Sequence, residues 1–300
     1  MVKEHLVWSL YLFDIGYYVL TFICLRYAIK QGFTTVLTLM SGNVFGFIIE
    51  YFAVVSNPPT YQYNFFIVKL PGPVPLGAVL GWGLIFFAVT EVAKLSKLPW
   101  YAQPLYAGLL ATCIDLFLDP IVVFIGFWTW KVPVQWFGIP WANYTGWVVI
   151  VGSFAFFQQL GYKRFPPGEK KWRDFLIAFG AAIPAFAVVY AFQMSFLWLS
   201  SQPWVSQPLL VGIIFGIFLS IMASFVPKIK RDNSLIKEVL MVPGFFAAWS
   251  LPMLYISGLD KAYQPLVLVF PAIMFLTALG FIWPSLDNIL KKWDKTQSSQ

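Results

Sequence analysis

Charge is what this sequence has least of. Asp, Glu, Lys and Arg make up 11 % of its 300 residues, against about a quarter in an ordinary water-soluble domain. A chain so poor in charge cannot cover a water-facing surface, which excludes the soluble globular classes. Histidine is nearly absent: His5 stands alone near the N-terminus. Cysteine is limited to Cys24 and Cys113, both inside apolar runs and sharing no motif spacing. One His and two separated Cys build neither a disulfide framework nor a zinc, haem or di-iron centre of the usual kinds. No metal and no cofactor are expected, and any chemistry must run on carboxyls, amides, aromatics and water.

Long polar linkers and low-complexity stretches are also missing. The expectation is one integral-membrane domain over residues 1–290, followed by a short polar tail, 291–300. The apolar run from Leu6 is too long for a signal-peptide core and lacks a small-residue cleavage site, so it reads as a retained span.

What the sequence has instead is oil. It is 59 % hydrophobic and 20 % aromatic, with a mean hydropathy of +0.74. A transmembrane helix needs about 20 largely apolar residues, and turn residues divide the chain into nine such runs. They cover 6–29, 33–55, 74–93, 99–121, 141–161, 174–198, 207–226, 239–257 and 263–283. Around 120–140, Pro120, Pro133 and Pro140 interrupt an aromatic segment that could dip into the membrane, so eight spans is the alternative. The fold class is all-α: a polytopic membrane helix bundle of eight or nine helices.

The basic residues set its orientation. Alternating the segments puts Lys3, Lys69, Lys131 and Lys261 on one side and the other sixteen of the twenty Lys and Arg residues opposite. Cytoplasmic loops carry the basic excess, which places the N-terminus outside and the C-terminus in the cytoplasm of a multi-pass cell-membrane protein. The net charge of +7 is then anchoring to an anionic leaflet, with no nucleic-acid partner implied.

Against this background the acidic residues stand out. By depth along their spans, Asp14, Glu50, Asp115 and Asp119 fall in the outer leaflet, with no Lys or Arg at that level. Asn143 and Tyr144 open the fifth span from the same side. Asp115 and Asp119, four apart in IDLFLDP, share one helix face, as do Asn43, Gly46 and Glu50. An ionised carboxylate at membrane depth is costly, so each must face the protein interior, be paired or carry a proton. A proton donor in an apolar pocket is the tool for protonating an unactivated double bond. Bland readings compete. Asp119 before Pro120 could simply cap a helix, and Asp14 could bond a neighbouring helix. Glu91 should only snorkel toward Lys94, while Gly42 and Gly46 read as a packing pair. The aromatics, WTW at 128–130 among them, read first as interfacial belt and core, although aromatic faces also stabilise a passing cation.

The stretch GLLATCIDLFLDPIVVFIGFWTW followed by WFGIPWANYTGW resembles the integral-membrane carotenoid biosynthesis family, of the bisanhydrobacterioruberin-hydratase type. That family shows D-x-x-x-D-P, then W-x-W, then G-[IV]-P-x-x-N-[FY]-x-G-W. Here the matches are Asp115, Asp119, Pro120, Trp128, Trp130, Gly138, Pro140, Asn143, Tyr144, Gly146 and Trp147. Glu50 and VPLGAVLGW (74–82) are similar too, so the motif-bearing region runs over about 40–160. The resemblance implies acid-catalysed addition of water to the terminal double bond of an acyclic carotenoid, through a tertiary carbocation and without metal or redox cofactor. The expected catalytic groups are Asp115 as proton donor, with Glu50 the alternative donor or else orienting water or sharing the proton, Asn143 holding water, and Asp119 beside them. Asp14, Asn43, Trp128, Trp130, Tyr144 and Trp147 are the expected substrate contacts. Partners would be the membrane-dissolved carotenoid, water, the bilayer and other carotenoid biosynthesis enzymes. A carotenoid cyclase would use the same acid and cation. A prenyltransferase would need richer Asp motifs for magnesium diphosphate, and a transporter would be expected to show internal repeats.

Overall fold

A computed structural model describes residues 3–234 and 236–297. Among these residues, eight helical segments are long and apolar enough to cross a bilayer. In chain order the helices are α1 (Val7–Gln31), α2 (Phe33–Val55), α3 (Leu76–Leu95), α4 (Gln103–Ile125), α5 (Trp141–Arg164), α6 (Lys171–Gly180) and α7 (Ala182–Ser200). They are followed by α8 (Gln207–Ala223), α9 (Lys237–Ile256), α10 (Leu259–Ala262), α11 (Leu266–Ile282) and α12 (Leu286–Gln297). Four short strands occupy the connections: β1 (Tyr61–Tyr63), β2 (Lys69–Leu70), β3 (Val74–Pro75) and β4 (Trp128–Trp130). The expected tail begins as the end of α12; its last three residues lie outside the described ones.

Of the nine expected spans, the fifth, α5, is the one absent from these eight. It has 24 residues, about 36 Å of helix, but too much polarity to count as a span on hydropathy alone. Its polar side chains Thr145 and Gln158 are buried, and Gln158 Nε2 donates to Ser41 Oγ at 2.8 Å and to the Ala178 carbonyl at 3.1 Å. Protein, rather than lipid, surrounds these groups, and there an intramembrane helix tolerates polarity. The sixth expected span is two helices, α6 and α7. Pro184 has no N–H to offer the Gly180 carbonyl, so the helix breaks there.

The largest departure from the sequence expectation is at Pro120. The fourth helix continues through it to Ile125, and stops where Gly126 adopts a left-handed conformation at φ 98°. Asp119 therefore does not cap a helix end. Pro120 removes one backbone bond, but Phe117, Ile121, Val122 and Ile125 are all buried, and that packing outweighs the local preference. The segment 126–140 does not re-enter as a helix. Its start, β4, pairs antiparallel with β1 in the register Tyr61–Trp130, Gln62–Thr129 and Tyr63–Trp128.

Helices in lipid associate through close packing rather than through a hydrophobic drive. The small residues are placed for that purpose. A Cβ on Gly42 would lie 2.9 Å from the Cβ of Phe86 and 3.2 Å from Gly83 Cα, so the expected small-residue pair is where α2 meets α3. At the α4–α5 crossing, a Cβ on Gly108 would lie 2.6 Å from the Val148 carbonyl oxygen. The centre of the bundle is α3, with 89 % of its most apolar stretch buried, while α8 at 11 % is almost wholly peripheral. Glu91 pairs with Lys94 at 2.6 Å, as expected of a snorkelling acid.

Candidate active site

Four helices deliver polar groups to one end of the bundle. Asp14 comes from the first half of α1, Glu50 from the end of α2, Asp115 and Asp119 from the second half of α4, and Asn143 from the first turn of α5. The four acids are all at most 5 % exposed.

Asp115 and Asp119 form a pair. Successive turns of α4 stack their carboxyls, and the Asn143 amide Nδ2 donates to Oδ2 of each at 2.8 Å. Asp115 Oδ1 is buried without a partner among the described residues. The Asn143 amide hydrogens are thus committed to the acids, and only its carbonyl side is left for water. Tyr144, buried beside Asn143, also has no hydroxyl partner among the described residues, and lies within electrostatic reach of both aspartates.

Glu50 has a different setting. Its Oε1 accepts from the Trp82 indole at 2.6 Å. Its Oε2 accepts from the Tyr63 hydroxyl at 2.7 Å and from the Tyr61 hydroxyl. Residues two apart on a strand point the same way, and β1 uses that period to aim both phenols at one carboxyl. The ribbon is itself anchored: Asn64 Nδ2 donates to the Gly126 carbonyl at 3.1 Å and to Thr129 Oγ1 at 2.8 Å. Burial, reinforced by the neighbouring Glu50 charge, pushes both phenols well above the ordinary tyrosine range, so they remain hydrogen donors at neutral pH.

The two carboxyl centres are neighbours. Asp119 lies within electrostatic reach of Glu50 and of Tyr61. Tyr17 of α1, packed over Gly81, lies within reach of Asp14, Glu50 and Asp119 together. Asp14 itself accepts from Tyr18 at 3.5 Å and abuts Gly77, where any side chain would collide with it.

The expected aromatic contacts fall behind the acids. Trp147 stacks on Trp82 with centroids 4.2 Å apart and planes 13° off parallel. Trp130 packs edge-on against Tyr61 at 5.0 Å, and Trp128 against Tyr63 at 5.8 Å. Asn43 is the exception. It sits about two turns from Glu50, against Gly83, and does not join the cluster. Tyr61, Tyr63 and Trp82 are the groups the sequence reading missed. The strand-like alternation of YQY was a usable signal for the first two.

A groove of about 590 Å³ borders this site at Asn143. Ile49, Phe52 and Ala53 of α2, Phe186 and Tyr190 of α7, and Trp130 make it largely apolar, and Asn143 lies in its wall. Among the described residues no three His, Cys, Asp or Glu side chains converge as a metal ligand set would.

The fold is that of a multi-pass membrane helix bundle, with buried carboxyls gathered at one end near an apolar groove. A model of the carotenoid biosynthesis protein family matches residues 9–219, and the chain belongs to that family. Over 128 residues it is 34 % identical to the bisanhydrobacterioruberin hydratase of Haloarcula japonica, a match covering 40 % of this chain and 42 % of that protein. The matched part is therefore less than half of the relative's length. No solved structure matches the chain.

Proposed function

We propose that the protein is a carotenoid hydratase, adding water to the terminal double bond of an acyclic carotenoid end group. The observation that carries this reading is the Asp115–Asp119 pair held by Asn143, the residue through which it adjoins the apolar groove. Two carboxyls this close in an apolar setting do not both ionise, so the pair holds a proton to give. It titrates as a unit, with neither residue acting alone.

In the reaction the pair delivers its proton to the less substituted, CH carbon of the terminal double bond. The π electrons form the new C–H bond and leave a tertiary cation. Water, oriented by Glu50, donates a lone pair to that cation, and the surplus proton on oxygen returns to the carboxyls. The proton count closes without a redox step. Trp82, Trp147 and the ribbon aromatics form a wall suited to a passing cation, and the buried dipoles are fixed before charge develops. Asp14 acts at the same depth as a polar contact, while Trp128 and Trp130 act by supporting the two tyrosines. As part of this reading, the acid end faces outward, the C-terminus is cytoplasmic, and the protein works in the cell membrane beside other carotenoid enzymes on bilayer-dissolved substrate.

The test is expression in cells that make lycopene, with pigments analysed by mass spectrometry. Hydration adds one water mass per end processed. Products isomeric with the substrate would instead establish a cyclase, and an unchanged pigment pool with the protein inserted would refute both.

A further inference from the structure

We infer that the β1–β4 ribbon is a clamp that keeps Glu50 an ionised acceptor, so that Glu50 is the base and Tyr61, Tyr63 and Trp82 are its positioning residues. This rests on the hydratase reading for its chemistry, but not for its geometry.

The argument starts from the donors. An indole N–H can only donate, so Oε1 of Glu50 is an acceptor. Two phenols converge on Oε2. A carboxylate accepts at both oxygens, whereas its protonated form gives one site to its own hydrogen. Burial opposes a charge on Glu50, no Lys or Arg among the described residues pairs with it, and the three hydrogen bonds are what the site offers to offset that cost. The Asp115–Asp119 pair, which has one amide for two carboxyls, is the opposite case.

The clamp has a reason to be a ribbon. Tyr61 and Tyr63 lie outside the helices, and the strand pairing with β4 fixes their register. Trp130 and Trp128 buttress the two rings. Asn64 ties the ribbon to the end of α4, the helix that carries the acid pair. One covalent segment thus sets the base relative to the acid. In the cycle, water's oxygen bonds to the cation and its proton passes to Glu50. That proton then returns to the Asp115–Asp119 pair, which gave one to carbon.

The experiment compares Tyr61→Phe, Tyr63→Phe, the double variant and Trp82→Phe in purified, membrane-reconstituted protein. Loss of a hydrogen bond to a charged group is expected to lower kcat about ten-fold or more per phenol, with KM changing far less because the polyene contacts remain. Infrared difference spectra supply a readout that packing alone would not move. Glu50→Gln should remove no protonated-carboxyl band from the wild type, while the double Phe variant should gain one that Glu50→Gln then abolishes. Wild-type kcat in the double variant with an unchanged carboxyl band would overturn the clamp, as would a protonated Glu50 in the wild type. If the double variant does not insert, the single variants decide by the same two readouts. The infrared arm needs no turnover, so a protein that yields no hydrated product would sink the hydratase reading while leaving the clamp to be judged separately.

Discussion

Glu50 and the Asp115–Asp119 pair are buried to a similar degree at the same end of the bundle, yet their surroundings are opposite. Glu50 receives three hydrogen bonds on one carboxyl. The aspartates share one amide between two. Burial alone would treat all three acids alike. What separates them is the supply of donors: a ribbon outside the helices for Glu50, a single residue of α5 for the pair. Under the proposed acid–base reading this contrast is the division of roles, and it arises from neutral side chains without a compensating cation among the described residues.

The sharpest way to break this contrast is to remove the acid. Asp115→Asn keeps shape but takes away the proton, and hydrated product should fall about a hundred- to ten-thousand-fold while insertion is retained. Because Asn143 bridges both carboxyls, Asp119→Asn should fall into the same range, which a helix-capping role would not produce. Product quantified by chromatography against protein level decides it; a near-normal Asp119→Asn would detach that residue from the pair.

A smaller effect is expected at the α4–α5 crossing. Gly108→Ala forces a methyl against the Val148 carbonyl, and overpacking of this kind costs about 1–3 kcal/mol. Thermal melts in detergent should show the loss. Activity should also fall, because α5 carries Asn143 to the acids. Full activity with lowered stability would show that the bridge survives displacement of its helix.

Asp14→Asn should change turnover least among the acid variants, within about three-fold, since Asp14 accepts from Tyr18 and the Ile67 backbone and an amide oxygen can accept in its place. A loss comparable to Asp115→Asn, measured in the same assay, would move Asp14 into the reacting machinery.

The mildest prediction concerns alkali. The Tyr61 and Tyr63 phenols are raised in the folded protein above an ordinary value of 10.0. Below that value both states keep the proton, and the stability from burying neutral phenols is fully present. As pH climbs above it, the unfolded chain ionises and the folded one does not, so stability is lost. The melting temperature should start to drop as pH rises through about 10, and drop less in the double Phe variant. Equal drops would mean that other groups control the alkaline limb.

Much of this was legible in the chain itself. Low charge and long apolar runs determine a membrane helix bundle, because hydrocarbon leaves the backbone few other ways to satisfy itself. Intramembrane Glu50 and Asp115 could be picked out by cost alone, and the four-residue spacing already stacked Asp115 on Asp119. Asn143 was visible through its position at the start of a span. Local rules failed where tertiary packing overrode them. Pro120 reads as a helix end, yet buried neighbours carry α4 past it to Gly126. Tyr61 and Tyr63 fall between two expected spans, and nothing local reveals that β4, more than sixty residues on, will pair with them. The sequence determines that these acids must be buried, since lipid gives them no alternative. Only the tertiary structure decides which acid is surrounded by donors, because hydrogen-bond partners converge through the pairing of distant segments.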